Sequence, residues 1–204
     1  METAMFFGLL SCLILTSSAI PYGIRTYQRL IVPNLTTWTL WTIIGVSLLV
    51  TYSGSGAKIN VLPAISGAMN PLIILVLLVV RRERFAKLGA FDLICLVLSL
   101  VSIGLWYVFR NERGLAQYAL YASIAADGLA ASPTALSVWT RPQDERPLAW
   151  ILAGLGYLVA FFSITEHTYA NYALPAYMVL MDIAIIFPLV KYRIDKKIAL
   201  REWC

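Results

Sequence analysis

Charge is what this chain of 204 residues has least of. Only 13% of its residues are charged, against 60% hydrophobic, and the mean hydropathy is +0.76. That leaves too little polar surface to coat a soluble globule of this size, so an ordinary water-soluble domain is excluded. Histidine is nearly missing: the single one, His167, has no second or third ligand at metal-binding spacing, which leaves no metal site to assign. Cysteine is scarce too. Cys12, Cys95 and Cys204 are odd in number and far apart, which argues against a disulfide framework or a metal cluster and leaves them as small apolar fillers.

Catalytic patterns are also lacking. No Cys-His or Ser-His-Asp constellation, no phosphate-cradling glycine loop and no HExxH run is present, so neither an enzyme nor a cofactor is expected. A lysine deep in the last apolar run, as a retinal Schiff base requires, is absent as well, since Lys191 lies at its edge. Leu9-Leu10-Ser11-Cys12 looks like a lipoprotein cleavage box. No basic segment precedes it and the apolar run before Cys12 is too short, so the N-terminus reads as a retained first helix.

What is present is a series of apolar runs of transmembrane length. They cover residues 5–24, 36–52, 60–80, 90–109, 115–138, 148–164 and 173–192. The expected class is therefore an all-α integral membrane protein with seven transmembrane helices. Of its 16 Lys and Arg, thirteen fall in the odd-to-even connections and the C-terminal tail. Only Lys58, Arg110 and Arg113 fall on the other side. By the positive-inside rule the N-terminus is outside and the C-terminus cytoplasmic, in an inner or plasma membrane. The net charge of +5 points to an anionic lipid surface and not to nucleic acid.

The chain also repeats itself. At a constant offset of 112 residues, Ala19, Pro21, Arg29 and Trp38 match Ala131, Pro133, Arg141 and Trp150. The same offset pairs Leu62-Pro63-Ala64 with Leu174-Pro175-Ala176, Met69 with Met181, and Arg81 with Arg193. Two copies of a three-helix unit are expected, residues 1–88 and 113–204, joined by a linker helix in 89–112. Three spans plus one linker span make the copies parallel, about an axis along the membrane normal.

A three-one-three arrangement with Pro21-Tyr22 and Pro133-Thr134 near the ends of spans one and five resembles the SWEET sugar transporters and the wider PQ-loop group. The first loop, Pro33-Asn34-Leu35-Thr36-Thr37-Trp38, and the second, Asp127 to Thr134 followed by Pro142 and Glu145, resemble a set of bacterial seven-span proteins related to that group. The resemblance implies alternating access around a midplane site for a small solute. It implies that Asn70 and Asp182, equivalents under the repeat, stand where SWEET transporters carry a pair of asparagines, and that Pro21 and Pro133 are hinges.

Polar side chains in hydrocarbon are costly and usually turn inward, which independently singles out Asn70, Asp182 and Asp127. A carboxylate in that set permits proton or cation coupling, or recognition of a cationic or polyhydroxylated solute. The alternative is structural, with the same side chains hydrogen-bonded across helices. Arg141 and Glu145, with Arg146, could pair as an inner gate or form a solvated turn. Trp38, Trp41 and Trp150 lie where spans two and six enter the membrane, so anchoring in an aromatic belt is preferred to stacking on a solute; Trp106, Tyr107 and Phe109 read the same way. The second function class is a non-transporting receptor or scaffold on the same fold. The expected partners are the lipid bilayer and a small-molecule solute, with a homo-oligomer left open.

Overall fold

The computed structural model describes residues 1–29, 31, 33, 35–83 and 89–203, apart from the side chain of Arg113. Asn34 of the first-loop motif, Arg84 and Lys87 of the charge count, and Cys204 lie outside the described residues. Among the described residues the structure is all helical: α1 (Glu2–Tyr27), α2 (Leu35–Gly54), α3 (Val61–Val80), α4 (Ala90–Phe109), α5 (Arg113–Thr140), α6 (Pro147–Ala160) and α7 (Tyr169–Asp195). Each expected span coincides with one of these helices.

Five of them, α1 to α4 and α7, are long and apolar enough to cross a membrane. The chain is thus compatible with a multi-pass membrane protein. Helix α5, with 28 residues, rises roughly 42 Å at 1.5 Å per residue. It is long enough, but Gln117, Asp127 and its serines dilute its apolar character. Helix α6 has only 14 residues and is prolonged by one 3₁₀ turn, Phe161–Ser163.

Proline inside a helix denies a hydrogen-bond donor to the carbonyl four residues back. In hydrocarbon such a carbonyl must find another donor. Three of them do. The Leu129 carbonyl, freed by Pro133, accepts from Ser132 Oγ at 2.8 Å. The Asn171 carbonyl, freed by Pro175, accepts from Tyr52 Oη at 2.7 Å. The Ala184 carbonyl, freed by Pro188, accepts from Trp139 Nε1 at 3.0 Å. Helices α5 and α7 therefore run continuously through their prolines.

The packing has a regular pattern. Helix α3 lies against both α1 and α2, and α7 lies against both α5 and α6; α1 packs on α6, α2 packs on α5, and α4 covers α5 and α2. Small residues permit these approaches. A Cβ on Gly156 of α6 would stand 2.5 Å from Leu15 Cγ and 3.1 Å from the Leu15 backbone nitrogen in α1. Buried hydroxyls add a polar seam, with Ser47 of α2 2.8 Å from Ser123 of α5 and within 3.4 Å of the Ser99 carbonyl of α4. Trp106 departs from the belt expected of it: its indole is laid over Gly54 of α2, where a Cβ would come within 2.3 Å of Nε1.

The helix ends sort into two groups. Loop residues near Arg25, Pro33 and Arg146 line one common cavity, and the C-terminal tail joins them, because the Trp203 carbonyl accepts from the Leu148 N–H at 3.1 Å. That bond satisfies an orphan donor in the first turn of α6, after Pro147 at its start. At the opposite end the α2–α3 and α6–α7 loops meet through a Lys58 Nζ to Glu166 Oε1 ion pair of 2.6 Å.

Candidate functional site

A cavity of about 180 Å³ lies inside the helix assembly, with walls from α1, α2, α3, α5, α6 and α7. Asn70, Asp127 and Asp182 all line it. The three polar positions singled out from the sequence, on three different helices, therefore share one space. The rest of the wall is mostly apolar, with Leu15, Leu48, Leu174, Met178 and Met181 among its residues, and among the described residues no Lys, Arg or His lines it.

Each polar side chain is held differently. Asn70 Nδ2 donates to the Leu15 carbonyl at 2.7 Å and contacts Ser18 Oγ at 3.0 Å. Its amide is thereby fixed to α1, and its Oδ1 is buried without a hydrogen-bond partner. Asp127 Oδ2 accepts from Tyr177 Oη at 2.7 Å, a bond from α7 to α5. Asp182 is 6% exposed, and its Oδ2 is also buried without a partner. Gly154 of α6 makes room for it: a Cβ there would lie 3.2 Å from Asp182 Cβ. Tyr157 crosses from α6 to α3 with its hydroxyl over Gly67, where a Cβ would be only 2.3 Å away.

Toward the basic end a larger cavity, about 520 Å³, is lined by Tyr22, Arg25, Thr134, Glu145 and Arg146. Tyr22 and Thr134 directly follow Pro21 and Pro133 and are themselves repeat equivalents. The two cavities share Trp38, Trp41 and Trp150 in their walls. Trp38 and Trp41 meet edge to face at 5.1 Å, Trp41 and Trp150 at 6.5 Å, and Tyr22 lies 5.0 Å from Trp38. The belt expectation is therefore corrected for these three: they lie between the helices and line both cavities, where they pack on one another and on Tyr22.

Arg193 organises the loop beyond them. It is 1% exposed; its Nη1 donates to the Pro142 carbonyl at 3.2 Å and the Leu189 carbonyl at 3.1 Å, and its Nη2 donates to the Glu145 carbonyl. Its repeat equivalent, Arg81, does the same work at the end of α1, donating to the carbonyls of Thr26 and Tyr27. Arg141 and Glu145 are not joined as an ion pair. Arg141 Nε lies 3.7 Å from Asp144 Oδ2 on the exposed face, whereas the Glu145 carboxyl lines the cavity. Burial holds that carboxyl above the usual range, against the opposing pull of Arg146.

The other end is closed by a buried polar network. Tyr52 Oη accepts from Asn60 Nδ2 at 2.6 Å while donating to the Asn171 carbonyl. Asn60 Nδ2 also approaches Asn171 Oδ1 at 3.4 Å, and Asn171 Nδ2 donates to the Glu166 carbonyl at 2.7 Å. His167, nearby, pairs through Nδ1 with Tyr172 Oη at 2.7 Å.

Pro21 and Pro133 sit inside α1 and α5, away from the residues that line the smaller cavity. Sequence reasoning missed Tyr157, Tyr177 and the Tyr52–Asn60–Asn171 network. The signal was weak: buried hydroxyls and amides on apolar helices, whose partners lie 50 residues away for Tyr177 and 119 for Tyr52. No family model, curated protein or solved structure matches the chain.

Proposed function

We propose that this chain is a small-solute membrane transporter, built as two parallel three-helix bundles (α1–α3 and α5–α7) with α4 as linker, in the manner of the SWEET group. The observation that carries the reading is a largely apolar cavity between the helices that gathers Asn70, Asp127 and Asp182, adjoining a vestibule at one end and with a buried hydrogen-bond network at the other. The packing supports the bundle assignment. Under the 112-residue repeat, α1 on α6 becomes α5 on α2, and α3 between α1 and α2 becomes α7 between α5 and α6.

In this reading the basic end faces the cytoplasm, as the excess of Lys and Arg favours, with the N-terminus outside in an inner or plasma membrane. Rocking of one bundle on the other exposes Asn70, Asp127 and Asp182 alternately, with Pro21 and Pro133 as hinges. A scaffold would have no use for an internal cavity that adjoins a vestibule, so transport is the reading favoured over it. The test is accessibility. Ala153→Cys, on the cavity wall, should react with a small charged thiol reagent added from the Arg146 side of reconstituted vesicles, and a transported solute should change the rate. Reaction from neither side, or a rate that no solute alters, would count against transport.

A further inference from the structure

Asn70 and Asp182 line the cavity, and their Oδ1 and Oδ2 atoms, both acceptors, are buried without hydrogen-bond partners. Asn70 cannot rotate to offer its amino group, because Nδ2 is already engaged by Leu15 and Ser18. Asp182 is more than nine-tenths buried, at 6% exposure. A second carboxylate, Asp127, shares the space with one oxygen taken by Tyr177. Among the described lining residues no cationic side chain compensates either carboxylate. A ligand that brings N–H donors and positive charge together would satisfy these acceptors and compensate both groups as carboxylates.

We infer that the cavity binds a protonated primary amine carrying a short apolar tail. The inference rests on the cavity being the solute site of the proposed transporter and names the class of that solute. A primary ammonium has three N–H donors, enough for Asn70 Oδ1, Asp182 Oδ2 and the second oxygen of Asp127. Its tail would run along Leu174, Met178 and Met181 toward Trp41 and Trp150, whose ring faces attract a cation on its way in. The competing chemistries leave something unmet. A neutral polyol leaves the carboxylates uncompensated. A quaternary ammonium has charge but no N–H. A hard metal ion needs about six oxygens or more, and three side chains supply too few. Size limits the ligand as well: about 180 Å³ is below the roughly 300 Å³ at which drug-sized pockets begin.

Three probes with one tail separate these cases: n-pentylamine, pentyltrimethylammonium and 1-pentanol, added to the full chain in detergent at neutral pH, with thermal unfolding followed by tryptophan fluorescence. Pentylamine alone should raise the unfolding temperature saturably, and Asp182→Asn and Asn70→Leu should each weaken its apparent affinity at least tenfold. An equal shift with pentanol would show that only the tail is recognised, and an equal shift with the trimethylammonium compound would show that charge suffices without donors. No shift with any probe would mean that the carboxyls carry protons and not an amine. Each of these overturns the inference, and the wild-type comparison decides it even where a variant does not fold. Protein-dependent uptake of labelled pentylamine into vesicles at pH 6 then separates the two readings. Binding without uptake keeps the amine site and sinks transport, whereas uptake of a polyol without amine binding sinks the amine site and keeps transport.

Discussion

Tyr52→Phe removes one oxygen atom from the closed end, and its effect can be worked out from three contacts. Tyr52 is 1% exposed. Its hydroxyl donates to the Asn171 carbonyl at 2.7 Å and accepts from Asn60 Nδ2 at 2.6 Å. The carbonyl has no helical donor of its own, because Pro175 occupies the position that would supply it. A membrane interhelical hydrogen bond contributes about 0.6 kcal/mol on average and up to about 1.7, and a buried group left unsatisfied costs about 1–3 kcal/mol. Two bonds lost, with the Asn171 carbonyl stranded, give an expected destabilisation of about 2 kcal/mol.

Unfolding in mixed micelles by titration with a denaturing detergent, read by circular dichroism, measures this directly. The mechanism is tested by a second substitution. Pro175→Ala returns an N–H to the Asn171 carbonyl, so Tyr52→Phe in that background should cost about 1 kcal/mol less than in the wild type, a coupling of the size contacting residues show. Equal costs in the two backgrounds would refute the idea that Tyr52 replaces the donor lost to proline. A cost below about 0.5 kcal/mol in the wild type would show that the closed end is held elsewhere, by the Lys58–Glu166 pair or by packing alone.

Gly156→Ala places a methyl 2.5 Å from Leu15 Cγ and 3.1 Å from its backbone nitrogen; because the backbone cannot yield as a side-chain tip would, about 1–3 kcal/mol of stability should be lost in the same micelle assay. Arg193→Lys keeps the charge but not the planar fork that reaches Pro142, Leu189 and Glu145 together, so a loss of roughly 2–3 kcal/mol is expected, with protease sensitivity of the 141–146 loop as a second readout. Glu145→Gln tests the buried carboxyl. Its raised pKa means that the folded chain keeps this proton to higher pH than the unfolded chain does, so this contribution is complete below the ordinary carboxylate pKa and is lost as pH climbs through the raised value. The variant's stability should be flatter than the wild type's over that window, and an unchanged slope would refute the assignment.

The spans were legible because hydrocarbon imposes length and apolarity on every residue of a run: 36–52 was expected where Leu35–Gly54 stands, and 90–109 matches Ala90–Phe109. The three polar positions were legible for the same reason, since each interrupts an apolar helix. Orientation about the helix axis was not. The hydroxyl residues of α2 are spread round the helix and mark no single polar face, so nothing in the sequence says whether Trp38 and Trp41 face lipid or the helix interior, and the structure turns them inward. The repeat carried more than was taken from it. Arg81 and Arg193 were read as a matched pair of charges at one end, yet both are carbonyl anchors. Asn60 and Asn171 stand at helix starts, where an amide reads as an ordinary turn residue, and their pairing depends on bringing the α2–α3 loop onto α7.

At the offset of 112 residues neither cavity carboxyl has an acidic counterpart, and this gives Asp182→Asn an unusual expected outcome. In the first copy the equivalents of Asp182 and Asp127 are Asn70 and Leu15, and Asn70 Nδ2 ties itself to the Leu15 carbonyl at 2.7 Å. A carboxyl at 182 lacks the amide N–H that makes this bond in the first copy, and its Oδ2 is buried without a partner. An asparagine at 182 regains the donor that the first copy uses and removes one of two neighbouring carboxylates from an apolar space. The variant should therefore be more stable than the wild type, by roughly 1 kcal/mol for the added interhelical bond and the relieved acid, while its response to an amine disappears. Loss of both stability and response would instead make Asp182 a structural residue whose oxygen is satisfied in the membrane. Gain of the one with loss of the other is the signature expected of a strained functional site on a duplicated scaffold.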